Sequence, residues 1–421
     1  MQEKLLHTVW QYSLYQPTAL TTTDGEDITV VHPGRYNIDA GPDFLEAKIK
    51  VGKTTLAGHV EIHVKSSDWK RHKHDNDDAY KNVILHVVYE HDADEGPANT
   101  PVLCIAKHIA PNTLKAYQYL SYTEESLPCA KRVGEIKDIV KSSLLTRMLA
   151  ERWEHKLSGW EELLEESAGD WSGLLYLRMA ANFGFKVNAD AFLQLAKSIP
   201  LKVLAKHKDN LLQVEAILFG QAGMLDGDFT DVYPNALQTE YNFLKKKYKL
   251  QPMDAHLWKF MRLRPANFPT IRIAQFAALI HKSVHLFSKV IEQNGYKETA
   301  SLFDVAASEY WNTHYRFDEP SEKEQKKKLG KASIQNIIIN TVAPVKFLYA
   351  QNMGTQYDKE DALKLLDEIP AESNRIIKIF SSANWAAANA SQTQAQIQLY
   401  NNYCSQKRCL ECAVGIGLLK S

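Results

Sequence analysis

The residues best suited to chemistry lie between Gly41 and His91. This stretch holds six of the chain's fifteen histidines and a Pro42-Asp43 pair. It also holds a run, His59-Val60-Glu61-Ile62-His63-Val64-Lys65, in which polar and apolar residues alternate. Alternation with a period of two marks a strand and puts Glu61, His63 and Lys65 on one face. Asp43 stands at the mouth of the preceding strand. Two carboxylates with an imidazole suit Mg or Mn and also accept Zn. A lysine beside such an ion can orient an attacking water or steady charge on a phosphoryl oxygen. The competing reading is a solvated sheet face with ordinary charge pairing.

Three other groups could carry chemistry. His72, His74, Asp75 and Asp78 form either a ligand group or a polar loop. Cys404, Cys409 and Cys412 crowd three of the chain's five cysteines into nine residues, with Cys129 as a possible fourth. Thiolates at this spacing suit Zn or an iron–sulfur cluster, and the alternative is buried free thiols. Arg262, Arg264 and Arg272 flank a rigid Pro265-x3-Pro269 turn. Guanidinium forks bind phosphates in pairs and could track a nucleic-acid backbone; otherwise they pair internally or cap helices. His86, among valines, reads as a hydrogen-bonded core residue. Lys326-Lys327-Lys328 reads as a solvated face.

The elements that must position these groups follow from periodicity. Residues 2–15 read as an amphipathic helix with Leu5, Leu6, Val9 and Trp10 on one face. Strands are expected over Asp27–Val31, Phe44–Val51, Thr55–Lys65, Val83–Tyr89 and Val102–Ala106. In Phe44–Val51, Phe44 is expected to share a face with Glu46 and Lys48, opposite Leu45, Ala47 and Ile49. Val60, Ile62 and Val64 should face the core. The polar stretch Ser66 to Asn82 should hold a short helix capped by Ser67 or Asp68. From about residue 136 the pattern becomes helical, opening with the stripe Leu145, Met148, Leu149, Trp153 and Leu157. Asp318 to Gly330 is charged and poor in apolar residues, as a solvated linker or the fraying edge of a helix would be. The expected class is α+β: an N-terminal mixed sheet with flanking helices, then a large all-α region. Domains are expected over 1–130, 131–320 and 321–421, the last carrying the cysteine cluster.

The totals set bounds. With 421 residues, 45% hydrophobic and 24% charged, the chain is an ordinary soluble globular one. Lys plus Arg equals Asp plus Glu at 50 each, so no global field pulls it toward nucleic acid or membrane, though a local basic groove is still allowed. There is no secretory signal pattern and no apolar run long enough to span a bilayer. Sparse, odd-numbered cysteines then point to a reducing cytoplasm. The Walker, dinucleotide-binding, H-E-x-x-H and G-x-S-x-G signatures are missing.

The string Pro42-Asp43, then Glu61-Ile62-His63-Val64-Lys65-Ser66-Ser67, within this order of helix and strands, resembles the core of the PD-(D/E)xK nuclease superfamily. The resemblance covers roughly residues 1–92. It implies metal-dependent hydrolysis of phosphodiester bonds in DNA or RNA, with Asp43 matching the family's aspartate and Lys65 its lysine. The sequence departs from the pattern where the family's second acid should stand, because His63 occupies that position. Either His63 replaces the carboxylate or Glu61 supplies it from two residues earlier. Glu3 would match the accessory acid of some branches, and His72 and His74 would lie near substrate. Some nucleases of that superfamily close their domain with a cluster held by one upstream and three C-terminal cysteines, a layout similar to Cys129 with Cys404, Cys409 and Cys412. The whole chain also resembles a bacterial domain-of-unknown-function family, number 2851, through GHVEIHVKSSDW, NVILHVV, RLRPANFPTIR and the terminal cysteine run, which implies a cytosolic protein. Two rivals to the nuclease expectation stand: a non-catalytic scaffold or binding module on a nuclease fold, and a zinc hydrolase of small molecules using His59, His63, His72 and His74.

Overall fold

The structure is a computed structural model that describes residues 2–93, 100–354 and 359–421. Contacts divide the chain into two units. The first comprises Met1–Met148, Ser373–Ala387 and Ala395–Ser421, and the second Leu149–Glu372 and Ala388–Gln394. The class is mixed α+β, a large N-terminal sheet followed by many helices. Among the described residues, no helix is long and apolar enough to cross a membrane.

The first unit opens with helix α1, Glu3–Gln11, which buries Leu5, Leu6, Val9 and Trp10 as its periodicity demands. Full burial of such side chains stabilises by about 1.5–3 kcal/mol each relative to exposure. The strands are β1 (Leu20–Thr21), β2 (Asp27–His32), β3 (Arg35–Tyr36), β4 (Phe44–Val51), β5 (Thr54–Lys65), β6 (Val83–Glu90) and β7 (Val102–Cys104). They form one sheet in the order β1-β2-β4-β5-β6-β7, with β3 also pairing with β4. β4 runs antiparallel to β5, whereas β5, β6 and β7 are mutually parallel neighbours. The core behind the sheet holds Phe44, Ala47, Ile49, Val60, Ile62, Leu85 and Val87 with the apolar face of α1.

One strand departs from its expected phase. Phe44 is buried together with Ala47, Ile49 and Val51, not placed with Glu46 and Lys48. The register slips between Phe44 and Ala47, where Glu46 takes a left-handed φ of 59°. An extra residue in a bulge resets the alternation, so both ends of β4 send apolar side chains inward.

The parallel step from β5 to β6 requires a crossover of a dozen or more residues. The segment 66–82 supplies it, as helix α2 (Asp68–Arg71) and two short 3-10 turns, His74–Asn76 and Asp78–Tyr80. Ser67 occupies the cap position of α2 without a side-chain capping bond. Gly58 lets the strand lie close to the crossover's far end, since a Cβ there would stand 2.5 Å from the Asn82 carbonyl oxygen.

The second unit is built of helices, among them Trp171–Phe183, Leu211–Gln221, Val232–Tyr248 and Pro269–Lys282. The stretch Asp318 to Gly330, expected to be solvated, is largely exposed but anchored at points. Glu319–Pro320 pairs with His314–Arg316, and Lys327 and Leu329 are buried. Lys327 is held locally, its Nζ lying 3.9 Å from the centre of the Tyr315 ring. Arg272 is also internal, donating to Asn267 at 2.6 Å, Gln275 at 3.0 Å and Ser333 at 3.1 Å. Its guanidinium is turned inward and buried, whereas Arg262 and Arg264 are exposed.

A buried carboxyl in this unit gives a testable pH dependence. Glu215, 1% exposed, sits beside Tyr233 and Ser308, and one of its oxygens lacks a hydrogen-bond partner. Burial pushes its pKa from 4.5 up to about 7. The folded state therefore holds this proton more tightly than the unfolded chain. Its stabilising contribution is complete below pH 4.5 and is lost as pH rises through about 7. The loss amounts to roughly 3 kcal/mol. Urea unfolding between pH 4.5 and 8 should show a decline in the native chain, and Glu215→Gln should make it shallower by about that amount.

Candidate metal centre

Asp43 and Glu61 meet through their backbones. The Ile62 N–H donates to Asp43 Oδ2 at 3.0 Å, and the Asp43 N–H donates to Glu61 Oε2 at 3.1 Å. Each carboxylate is thus fixed by the strand that carries the other. From below, α1 brings His7, whose Nε2 lies 3.2 Å from Asp43 Oδ2 and 3.9 Å from Glu3 Oε1. His7 and Glu3 stand one helical turn apart and so share a face.

The imidazoles gather on the other side of Glu61. His63 Nε2 is 3.5 Å and His74 Nε2 3.3 Å from Glu61 Oε1. His63 Nε2 is also 3.2 Å from His72 Nδ1. Among the described residues, His63, His72 and His74 are the group whose ligand atoms all lie within 4.8 Å of one another. β5 contributes the first of these, and the crossover contributes the other two. Trp69 locks the crossover by donating its indole N–H to Asp75 at 2.8 Å, and His74 stacks on Tyr80 with ring centres 3.8 Å apart.

Behind the cluster, His63 Nδ1 lies 2.9 Å from His86 Nε2 on β6. A proton on His63 Nδ1, donated to His86, leaves the Nε2 lone pair of His63 aimed at the cluster. Metal-ligating histidines are oriented by such outer partners. The hydrogen-bonded core role expected of His86 is the one seen.

The electrostatics suit a cation. Burial, reinforced by Asp43, pushes the Glu61 carboxyl up to about 9. Burial and the neighbouring rings push His63 down to about 2, and His86 falls to about 4 for the same reasons. His74 shifts downward, chiefly by burial. Neutral imidazole is the ligating form, and a nearby positive ion would let Glu61 ionise. His74 Nε2 and His7 Nε2 are buried and close to carboxylate oxygens, yet neither is aligned for a hydrogen bond. Two buried ring nitrogens thus face carboxylate oxygens without an aligned hydrogen bond.

Two expected participants lie elsewhere. Lys65 is half-exposed and its Nζ pairs with Glu90 at 3.6 Å and Asp92 at 3.7 Å. It follows Glu61 and His63 along the strand, but the acids at the end of β6 draw its head away. His59 Nδ1 accepts from the Glu46 N–H on β4 at 3.3 Å and stands apart from the imidazole trio. Sequence reading did not select His7. Its only signal was the i, i+4 spacing from Glu3, which has no meaning until the helix is known to lie against Asp43.

Comparison with known proteins is limited to one result. Neither the curated proteins nor the solved structures gave a match. A family model matches residues 3–375, nearly the whole chain. The chain belongs to the family described as "Protein of unknown function (DUF2851)".

Proposed function

We propose that this protein is a metal-dependent hydrolase of phosphodiester bonds in nucleic acid. The observation that carries the reading is the juxtaposition of the Asp43–Glu61 carboxylate pair with the His63, His72 and His74 imidazoles. Imidazole donors favour Zn, and the adjoining carboxylates also admit Mn; Mg, which prefers an all-oxygen octahedron, suits this set less well. Bound there, the ion would supply Lewis acidity toward a phosphoryl oxygen and an attacking water.

The chain's own residues divide the remaining work. Asp43, locked by the Ile62 N–H, presents its carboxylate without needing to reorganise. Glu61, held by the Asp43 N–H and close to two imidazoles, is placed to accept a proton from water. His7 Nε2, 3.2 Å from Asp43 Oδ2, can orient that carboxylate. Lys70, Arg71 and Lys73 are exposed on the segment that carries His72 and His74, where cations would meet an anionic substrate. Glu3 and His72 border the same site and are the remaining candidates for substrate contact.

A second reading has an observation of its own. Lys65, the counterpart of the nuclease lysine, is engaged by Glu90 and Asp92, as expected of a nuclease fold that binds without cutting.

Two experiments test the proposal. Titration calorimetry with Zn and with Mn should show binding that weakens at least about tenfold in His74→Ala and stays near native in His59→Ala. Equal binding in all three proteins would remove the centre. Cleavage of single- and double-stranded DNA and RNA should require Mn or Zn. It should fall by about 100-fold or more in the Asp43→Ala, Glu61→Ala double variant and remain within about threefold in Lys65→Ala. Metal binding without cleavage by the native chain would leave the binding-module reading in place.

A further inference from the structure

A second centre lies in the same unit and stands independently of hydrolysis. Four of the chain's five cysteines, Cys129, Cys404, Cys409 and Cys412, line one small cavity of about 20 Å³ together with Leu120, Tyr403 and Arg408. They come from two places far apart in sequence, and none of the four is in a disulfide. Cys404 lies within electrostatic reach of the other three.

The local backbone is shaped around the thiols. Cys404 ends a π-helical turn, Tyr400–Cys404, and Cys409 opens a 3-10 turn, Cys409–Glu411. Between them Lys407 adopts a left-handed φ of 52°, and its Nζ donates to the carbonyls of Ser121 at 3.1 Å and Thr123 at 2.9 Å. Cys412 precedes the helix Ala413–Lys420, and its carbonyl accepts from the Ile416 N–H at 2.9 Å. Gly415 is required there, because a Cβ would come within 2.0 Å of the Cys409 carbonyl oxygen.

We infer that Cys129, Cys404, Cys409 and Cys412 form a tetrathiolate metal centre that fastens residues 395–421 to the first unit. The cavity has room for one ion. The thiols are set wider than the imidazole trio, whose ligand atoms all lie within 4.8 Å. A single zinc would draw the sulfurs inward to bonds of about 2.3 Å, whereas an iron–sulfur core would require the pocket to widen around it.

The centre also braces the first site. Glu411, between Cys409 and Cys412, accepts from Arg408 Nε at 2.9 Å and pairs with Lys4 on α1. Leu410, Ile416 and Leu419 join the core that holds Leu5 and Leu6. The helix bearing Glu3 and His7 therefore rests on the thiolate loop.

The test uses full-length chain purified without oxygen, in a His74→Ala background so that imidazole-held metal is not counted. We expect a stoichiometric metal complement per chain. Iron with acid-labile sulfide and visible absorbance identifies a cluster; one zinc without colour identifies a mononuclear site. Cys409→Ser should lose most of this metal and speed amide exchange in Glu3–Gln11. Cys104→Ser, which alters the remaining cysteine, should retain the metal. A native chain that carries neither metal, or a Cys409→Ser protein that keeps its full complement, overturns the inference. Half-buried Cys409 is the first choice because loss of buried Cys129 could simply unfold the unit. Thiol labelling under native conditions gives a second readout: slow in the loaded chain and fast after chelation if the inference holds, equally fast in both if it does not.

Discussion

The first unit is organised around a pair of acids that should repel. Asp43, at the mouth of β4, and Glu61 on β5 are brought together, Glu61 buried and Asp43 partly buried, with each carboxylate accepting a backbone N–H from beside the other. Desolvated like charges cost several kcal/mol unless they are protonated or offset by a cation. The backbone bonds set their positions but not their charge. Everything packed around the pair can be understood as a response to that unpaid demand. Neutral rings crowd one side, a histidine on α1 approaches the other, and exposed cations mark the nearby surface.

Topology supplies the responders. Because β5 and β6 are parallel, the chain between them must cross a face of the sheet. That necessity places His72 and His74 over Glu61 and His63, turning a strand face into an enclosed site. It also explains why Glu61 and His63, on the side away from the main core, are 5% and 1% exposed. An antiparallel hairpin between the same strands would have left both in solvent.

How much of this was legible depended on whether the cause was local. The α1 stripe, the inward Val60 and Ile62, and the mixed class follow from periodicity and were readable. Asp43 and Glu61 were chosen from type and spacing, and the structure brings their side chains to each other's strands. The fate of Lys65 was not readable, because Glu90 lies opposite only through the parallel register Lys65↔Glu90. The phase of Phe44 was lost to a bulge that hangs on one left-handed residue, Glu46. The segment Asp318 to Gly330 has the composition of a linker, and an aromatic ring more than ten residues upstream in sequence covers its buried lysine. His7 shows the same limit: its partner Asp43 is local in space and remote in sequence.

The first unit is discontinuous, closing with residues 395–421 after the chain has passed through the second. Ile416 and Leu419 complete the hydrophobic core that α1 begins. A ribosome adding about 5–20 residues per second needs tens of seconds between Met148 and Ala395. Throughout that interval the sheet and its acidic pair exist with part of their apolar floor still unsynthesised. Nascent chains of this protein should therefore remain open to chaperones until residues 395–421 emerge, and a chain truncated before them would carry a first unit that never closes.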